Sequence, residues 1–264
     1  MEAETKSSTN PGTPTARVAP QLSVKWGQNE PYNKYYPIKD GLKCPTGCVI
    51  TATAQILSYF QTIGSVQWSQ NGSYGSANLN WSRIISDSQN GADYGVLTDR
   101  EALGSSIEVA HLMRYLAISL DADYGSQSTG AESNDAVKWM RSWGGLSTTN
   151  LENYNTDKVI NALLSGKSIY MRANARYYHV GFVIRKYVDG HAWVIDGFEK
   201  YPHNRSYIYY VHCNMGWDGD ADGYYLNDVF TTDAGPEFIE EEINDGGTSS
   251  YNFRYKKEIS IVGR

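Results

Sequence analysis

Lys43-Cys44-Pro45-Thr46-Gly47-Cys48-Val49-Ile50-Thr51-Ala52-Thr53-Ala54-Gln55-Ile56-Leu57-Ser58-Tyr59-Phe60 is the stretch on which the reading of this chain turns. Pro45 and Gly47 mark a loop. Val49, Ala52, Thr53, Ile56, Leu57 and Phe60 then recur at three- and four-residue spacing, which predicts a helix with a buried face. Cys48 falls at the start of that helix. Free N–H groups at a helix N-terminus favour an anion, so a thiol there ionises more readily, and the thiolate is the nucleophile. A free cysteine is also a common small core residue. The chemical reading therefore needs partners elsewhere in the chain.

Bulk composition narrows the search. The chain has 264 residues, 41% hydrophobic and 20% charged, as in ordinary globular proteins. A net charge of −6 without a basic run speaks against nucleic acid and anionic membrane surfaces as partners. Apolar runs are too short for a membrane span. Residues 1–20 form a polar, Pro-containing stretch without the apolar segment of a signal peptide, and are expected to be a disordered linker. Three cysteines, Cys44, Cys48 and Cys213, exclude a disulfide scaffold and leave a Cys44–Cys213 bridge open.

Further along, residues 64–80 are polar and rich in Gly and Asn. Trp81–Ile85 and Asp99–Ser119 follow, the latter on a helical period with His111 as a structural residue. Short helices are expected near Asn134–Ser142 and from Thr156 or Asp157 to Leu164, the last stopped by Gly166. From Lys167 the texture becomes strand-like: Ser168–Met171, Tyr178–Tyr187, His191–Phe198, Tyr207–Cys213 and Gly223–Leu226. Helices first and antiparallel strands second predict an α+β protein.

Two histidines near glycine in the strand half, His179 and His191, are each able to take a proton from a cysteine. His191 follows a turn and is expected to begin its strand. Asn214 on a neighbouring strand is a candidate to orient the imidazole, and Trp217 to shield it. Gln28, in a turn-rich loop, is a candidate oxyanion donor.

Thr46-Gly47-Cys48-Val49-Ile50, Gly190-His191-Ala192-Trp193-Val194-Ile195-Asp196-Gly197, Asn214-Met215-Gly216-Trp217-Asp218-Gly219 and Asp222-Gly223-Tyr224-Tyr225, in that order, resemble the streptopain family of bacterial papain-like cysteine peptidases. The resemblance covers about Val24 to the C-terminus. It implies a peptidase domain over 21–264 with a two-lobed papain-like fold, a helical lobe of about 21–166 and a β lobe of about 167–264. Cys48 becomes the nucleophile and His191 its partner in a thiolate–imidazolium pair. Gln28 and the Cys48 N–H hold the oxyanion, and Asn214 and Trp217 orient and shield the histidine. Ser128, Thr129, Gly130 and Gly190 border the substrate. No metal and no organic cofactor is implied. Protein or peptide substrates, an inhibitory N-terminal propeptide absent from this chain, and a secreted or cell-envelope location are.

The family's usual Asn-Trp-Gly-Trp-Gly-Gly departs here at Met215 and Asp218. Met covers an imidazole more loosely, and Asp218 adds charge near the cleft. These changes motivate two alternatives: a weakened peptidase-like binding module, and an acyl (transpeptidase) transferase. Asp218 to Gly223 also matches the first half of a calcium loop, but its twelfth position is Val229, and a tight hairpin turn is expected instead. The Gly235–Ser250 segment, with Glu237, Glu240, Glu241 and Glu242, reads as a flap or a solvated acidic run.

Overall fold

A computed structural model describes residues 12–89, 105–180, 184–233, 235–237 and 251–264. Strand β1 (Ala16–Val18) leads through an irregular segment to the small hairpin β2 (Ile38–Lys39) and β3 (Leu42–Lys43). Helix α1 (Cys48–Phe60) follows, then β4 (Ser65–Gln70), β5 (Ser73–Asn78), α2 (Trp81–Gln89), α3 (Ser105–Ser119) and α4 (Ser133–Ser142). The second half holds β6 (Ser147–Thr148), β7 (Glu152–Asn153), α5 (Thr156–Leu164), β8 (Ser168–Val180), β9 (Ile184–His203), β10 (Ser206–Asn214), β11 (Gly223–Leu226) and β12 (Tyr255–Gly263). The α+β class read from the sequence is the one observed.

One antiparallel sheet dominates, with strand order β11-β10-β9-β8-β12-β6, β1 on β9 and β7 on β12. Successive side chains of a strand point to opposite faces, and here they enter two different cores. In β9, Ala192 and Val194 pack with α1, while Trp193 and Ile195 pack with Val159 and Leu163 of α5. α1 is buried on nearly every side, from Val49 and Ile50 round to Leu57 and Phe60. That is the burial expected of a helix without a polar stripe. Gln61 in the left-handed conformation ends it, its N–H on the Leu57 carbonyl at 2.7 Å.

Several expectations are corrected. Tyr178–Tyr187 is not one strand. β8 and β9 are a long hairpin with Val180 opposite Ile184, so that segment straddles the hairpin end. His191 does not start a strand; it lies within β9, opposite Ala173. Residues 65–78 form the hairpin β4–β5, although their Ser, Gly and Asn content gives little strand signal. Ala16–Val18, inside the stretch expected to be a disordered linker, pairs with Phe198–Lys200, because Ala16 and Val18 have an apolar surface to pack on. Cys44 and Cys213 are free thiols in different cores, not a bridge. His111 is structural as expected: its Nδ1 accepts the Trp68 Nε1–H at 3.0 Å, and Tyr35 stacks on it. Residues 1–11, the first turns of the helix expected from Asp99, and residues 238–250 of the acidic segment lie outside the described residues.

Candidate active site

Cys48 is the first residue of α1. Gly47 before it has φ 89°, and a Cβ there would stand 2.3 Å from the Thr129 carbonyl oxygen. Only glycine lets the 123–130 loop lie against this helix end. No side chain caps the helix, so its first amides remain for other acceptors. Burial, the largest influence, pushes the Cys48 thiol up; the N–H groups of Ala192, Val49 and Cys48 pull it down. The easy ionisation expected of a helix end is therefore only the opposing part of the balance.

The segment before α1 is tied to it. The Trp26 N–H donates to Gln55 Oε1 at 3.2 Å, and the Thr46 N–H donates to the Gln28 carbonyl at 2.7 Å. These bonds hold Gln28 next to the Cys48 turn.

His191 is buried, at 7% exposure. Its Nε2 lies 2.9 Å from the Met215 carbonyl oxygen. A carbonyl only accepts, so Nε2 carries the hydrogen, and in the neutral ring the lone pair sits on Nδ1. The ring stacks on Trp217 with centroids 4.4 Å apart, and on Phe253 at 5.4 Å and Trp193 at 5.8 Å. Burial in this aromatic pile lowers the imidazole's pKa to about 4, against the Met215 carbonyl, which favours the charged ring.

The Met215 peptide is itself held. Its N–H donates to Asp222 Oδ1 at 2.6 Å. Asp222 is buried, which raises its pKa to about 7, while the Met215 N–H and His212 pull it down. Asn214 does not reach the histidine. Its Nδ2 donates to the Val24 carbonyl at 2.7 Å, and its Oδ1 accepts the Gly216 N–H at 3.2 Å. The orienting acceptor is the main chain one residue later. The Met215 side chain is buried in the α5-side core, and Trp217 stacks on the imidazole. Asp218 is not on the cleft: its carboxylate occupies the space a Cβ on Gly27 would fill.

Gln28, Cys48, His191 and Trp217 line one cleft of about 920 Å³, bordered by Ser128, Thr129, Gly130 and Gly190. His179, the rival histidine, does not line it. Gly130 has both main-chain groups paired with Asp123 at 2.9 Å, so it offers shape to a bound chain rather than a ladder. Phe253 and Asp222 are the site residues the sequence reading missed. In the sequence Asp222 reads only as a turn or calcium-loop residue.

A family model described as the Peptidase C10 family matches residues 26–225. Streptopain of Streptococcus pyogenes serotype M1 is 27% identical over 241 residues, covering 80% of this chain and 55% of that protein. The serotype M28 protein is 28% identical over 229 residues at the same coverage. The chain thus spans about half the length of the curated relatives it matches. Among solved structures, the active wild-type interpain A cysteine protease of Prevotella intermedia superposes with TM-score 0.62 at 25% identity, covering 95% of this chain and 96% of that one. A prointerpain A fragment from the same organism gives TM-score 0.59 at 26% identity, covering 95% and 73%. The α+β, papain-like architecture implied by the sequence motifs is the architecture these neighbours share.

Proposed function

The chain belongs to the Peptidase C10 family, and from that membership we propose that it is a cysteine endopeptidase that cleaves protein or peptide chains through Cys48 and His191. The observation that carries the reading is the shared cleft, with a sulfur at an uncapped helix end and an imidazole whose bare nitrogen is Nδ1. Nδ1 takes the proton as Sγ attacks the peptide carbonyl carbon. The carbonyl π electrons move to oxygen, where the Cys48 N–H and the Gln28 side-chain amide stabilise the charge. His191 then protonates the departing amine as the C–N bond breaks, leaving a thioester on Cys48. Water, deprotonated by the same Nδ1, hydrolyses it and restores the thiol.

Burial opposes the charged form of each group, thiolate and imidazolium alike. The thiolate–imidazolium form arises as substrate enters, and the two opposite charges then stabilise each other. Trp217 keeps water from the ring, and the Met215 carbonyl steadies the imidazolium. An N-terminal propeptide acting as inhibitor, and a secreted or cell-envelope location, complete the proposal. The match to a prointerpain fragment supports the first. Among the described residues no helix is long and apolar enough to cross a membrane.

The test is cleavage of a mixed peptide library with and without a thiol alkylator. Internal cleavage that the alkylator abolishes is expected. Cleavage unaffected by alkylation, or none under reducing conditions, would overturn the reading. Adding a primary amine to the same assay distinguishes hydrolysis from acyl transfer by its products.

A further inference from the structure

We propose that the wall of the cleft formed by β8, β9 and β12 is a subsite for acidic side chains, so that the preferred substrates carry Asp or Glu close to the cleaved bond. The inference rests on the reading of the cleft as a peptide site. The chain as a whole is acidic, at −6, yet its cleft is lined by Arg172, Arg185, Lys186 and Lys256 against the carboxylates of Glu132 and Asp189. Two of these six are already neutralised. Arg172 pairs with Glu258 at 2.5 Å, and Asp189 pairs with Arg176. Among the described residues three cations then stand against one carboxylate, and none of the three is ion-paired. A concave surface with an excess of one sign of charge focuses the field toward a ligand of the other.

The presentation of these cations is specific. Lys256 has φ 45°, a left-handed conformation unusual for lysine, and sits where the pairing of β12 with β8 shifts register between Tyr255 and Glu258. Such a bulge re-aims a side chain out of the regular alternation, and here it delivers Lys256 to the cleft. Its Nζ lies 4.8 Å from the Tyr187 ring centroid, and Arg185 Cζ lies 5.0 Å from that of Tyr177. Resting on ring faces limits the rotamers of both side chains and leaves N–H donors available to a carboxylate. Held in place beforehand, these groups give up less entropy when a carboxylate arrives.

The test uses matched fluorogenic peptides, Glu against Gln, substituted one position at a time around the scissile bond. It compares the wild-type chain with Lys256→Glu and the double variant Arg185→Glu/Lys186→Glu. At one position or more, the wild type is expected to favour Glu by about tenfold in kcat/KM at low salt, shrinking as salt screens the attraction. Lys256→Glu should bring that ratio to one or below. A ratio near one at every position in the wild type, or a preference that survives both charge reversals, would overturn the proposal. Calorimetry of the same peptides on Cys48→Ala reads the subsite without chemistry. Glu-selective binding there, with no wild-type turnover, would sink the peptidase reading and keep the subsite. Turnover without selectivity would do the opposite.

Discussion

The two sides of the cleft are held by different means. On the Cys48 side the parts are local: a loop, a glycine that lets another loop touch the helix end, and a helix whose first turn no side chain caps. On the His191 side the parts come from across the second half of the chain. Trp193 lies on the same strand, Met215 and Trp217 follow β10, Asp222 precedes β11, and Phe253 precedes β12. The sulfur is positioned by backbone geometry and the imidazole by an aromatic pile and a relayed carbonyl. Apart from Cys48, Gln28 and Gly47, the first side should tolerate changes that keep the helix. The second should answer to substitutions at several distant residues.

Removing either reactive group breaks the comparison most severely. Cys48→Ala and His191→Ala should each lower kcat by about 10⁴- to 10⁶-fold, because such groups act as a unit. Thermal melting should show both variants folded; wild-type rates in either would refute the pairing. Next comes Gln28→Ala, expected to cost about ten- to a thousandfold in kcat with little change in KM, as loss of one oxyanion donor does.

Asp222→Ala sharpens the contrast, since it touches no reacting atom. The Met215 N–H would be left buried without its acceptor, at a cost of about 1–3 kcal/mol in stability. Activity should fall through kcat as the carbonyl that fixes His191 drifts. Asp222→Asn, which retains an acceptor oxygen, should recover much of both. Equal losses in Ala and Asn would mean that charge, not the hydrogen bond, is what matters.

The smallest effect concerns pH. His191 has its folded pKa depressed to about 4 from an ordinary value of 6.5. The unfolded chain thus binds the proton more readily, and the neutral ring's contribution to stability is full above about pH 6.5 and lost as pH falls toward 4. Melting temperatures taken from pH 7 to 4 should therefore fall less steeply in His191→Ala. Trp217→Ala opens the ring to water, so the acid limb of kcat/KM should move up toward 6.5. An unmoved limb would contradict burial as the cause of the shift.

This asymmetry also explains what could be read in advance. The helix of Cys48 was legible because its signals, Pro45, Gly47 and an apolar period, sit within eighteen consecutive residues. The class of the fold was legible from texture alone. His191 was preferred over His179 through a local motif, not through any visible pocket. Its actual acceptor, a main-chain oxygen, has no signature in a side-chain alphabet, and Asn214 stood beside it as the more familiar candidate. Phe253 and the Lys256 bulge join the cleft only when β12 pairs with β8, a contact between residues more than seventy positions apart. Pairings of that range leave no periodicity to find.

The most direct test is to trap Cys48 with a stoichiometric peptidyl electrophile and map the adduct by mass spectrometry while titrating residual turnover. One adduct per chain is expected, on the peptide containing Cys48, with activity falling in step and the buried Cys44 and Cys213 unlabelled. Full turnover from chains labelled at Cys48, or loss of activity that tracks labelling of another residue, would contradict it.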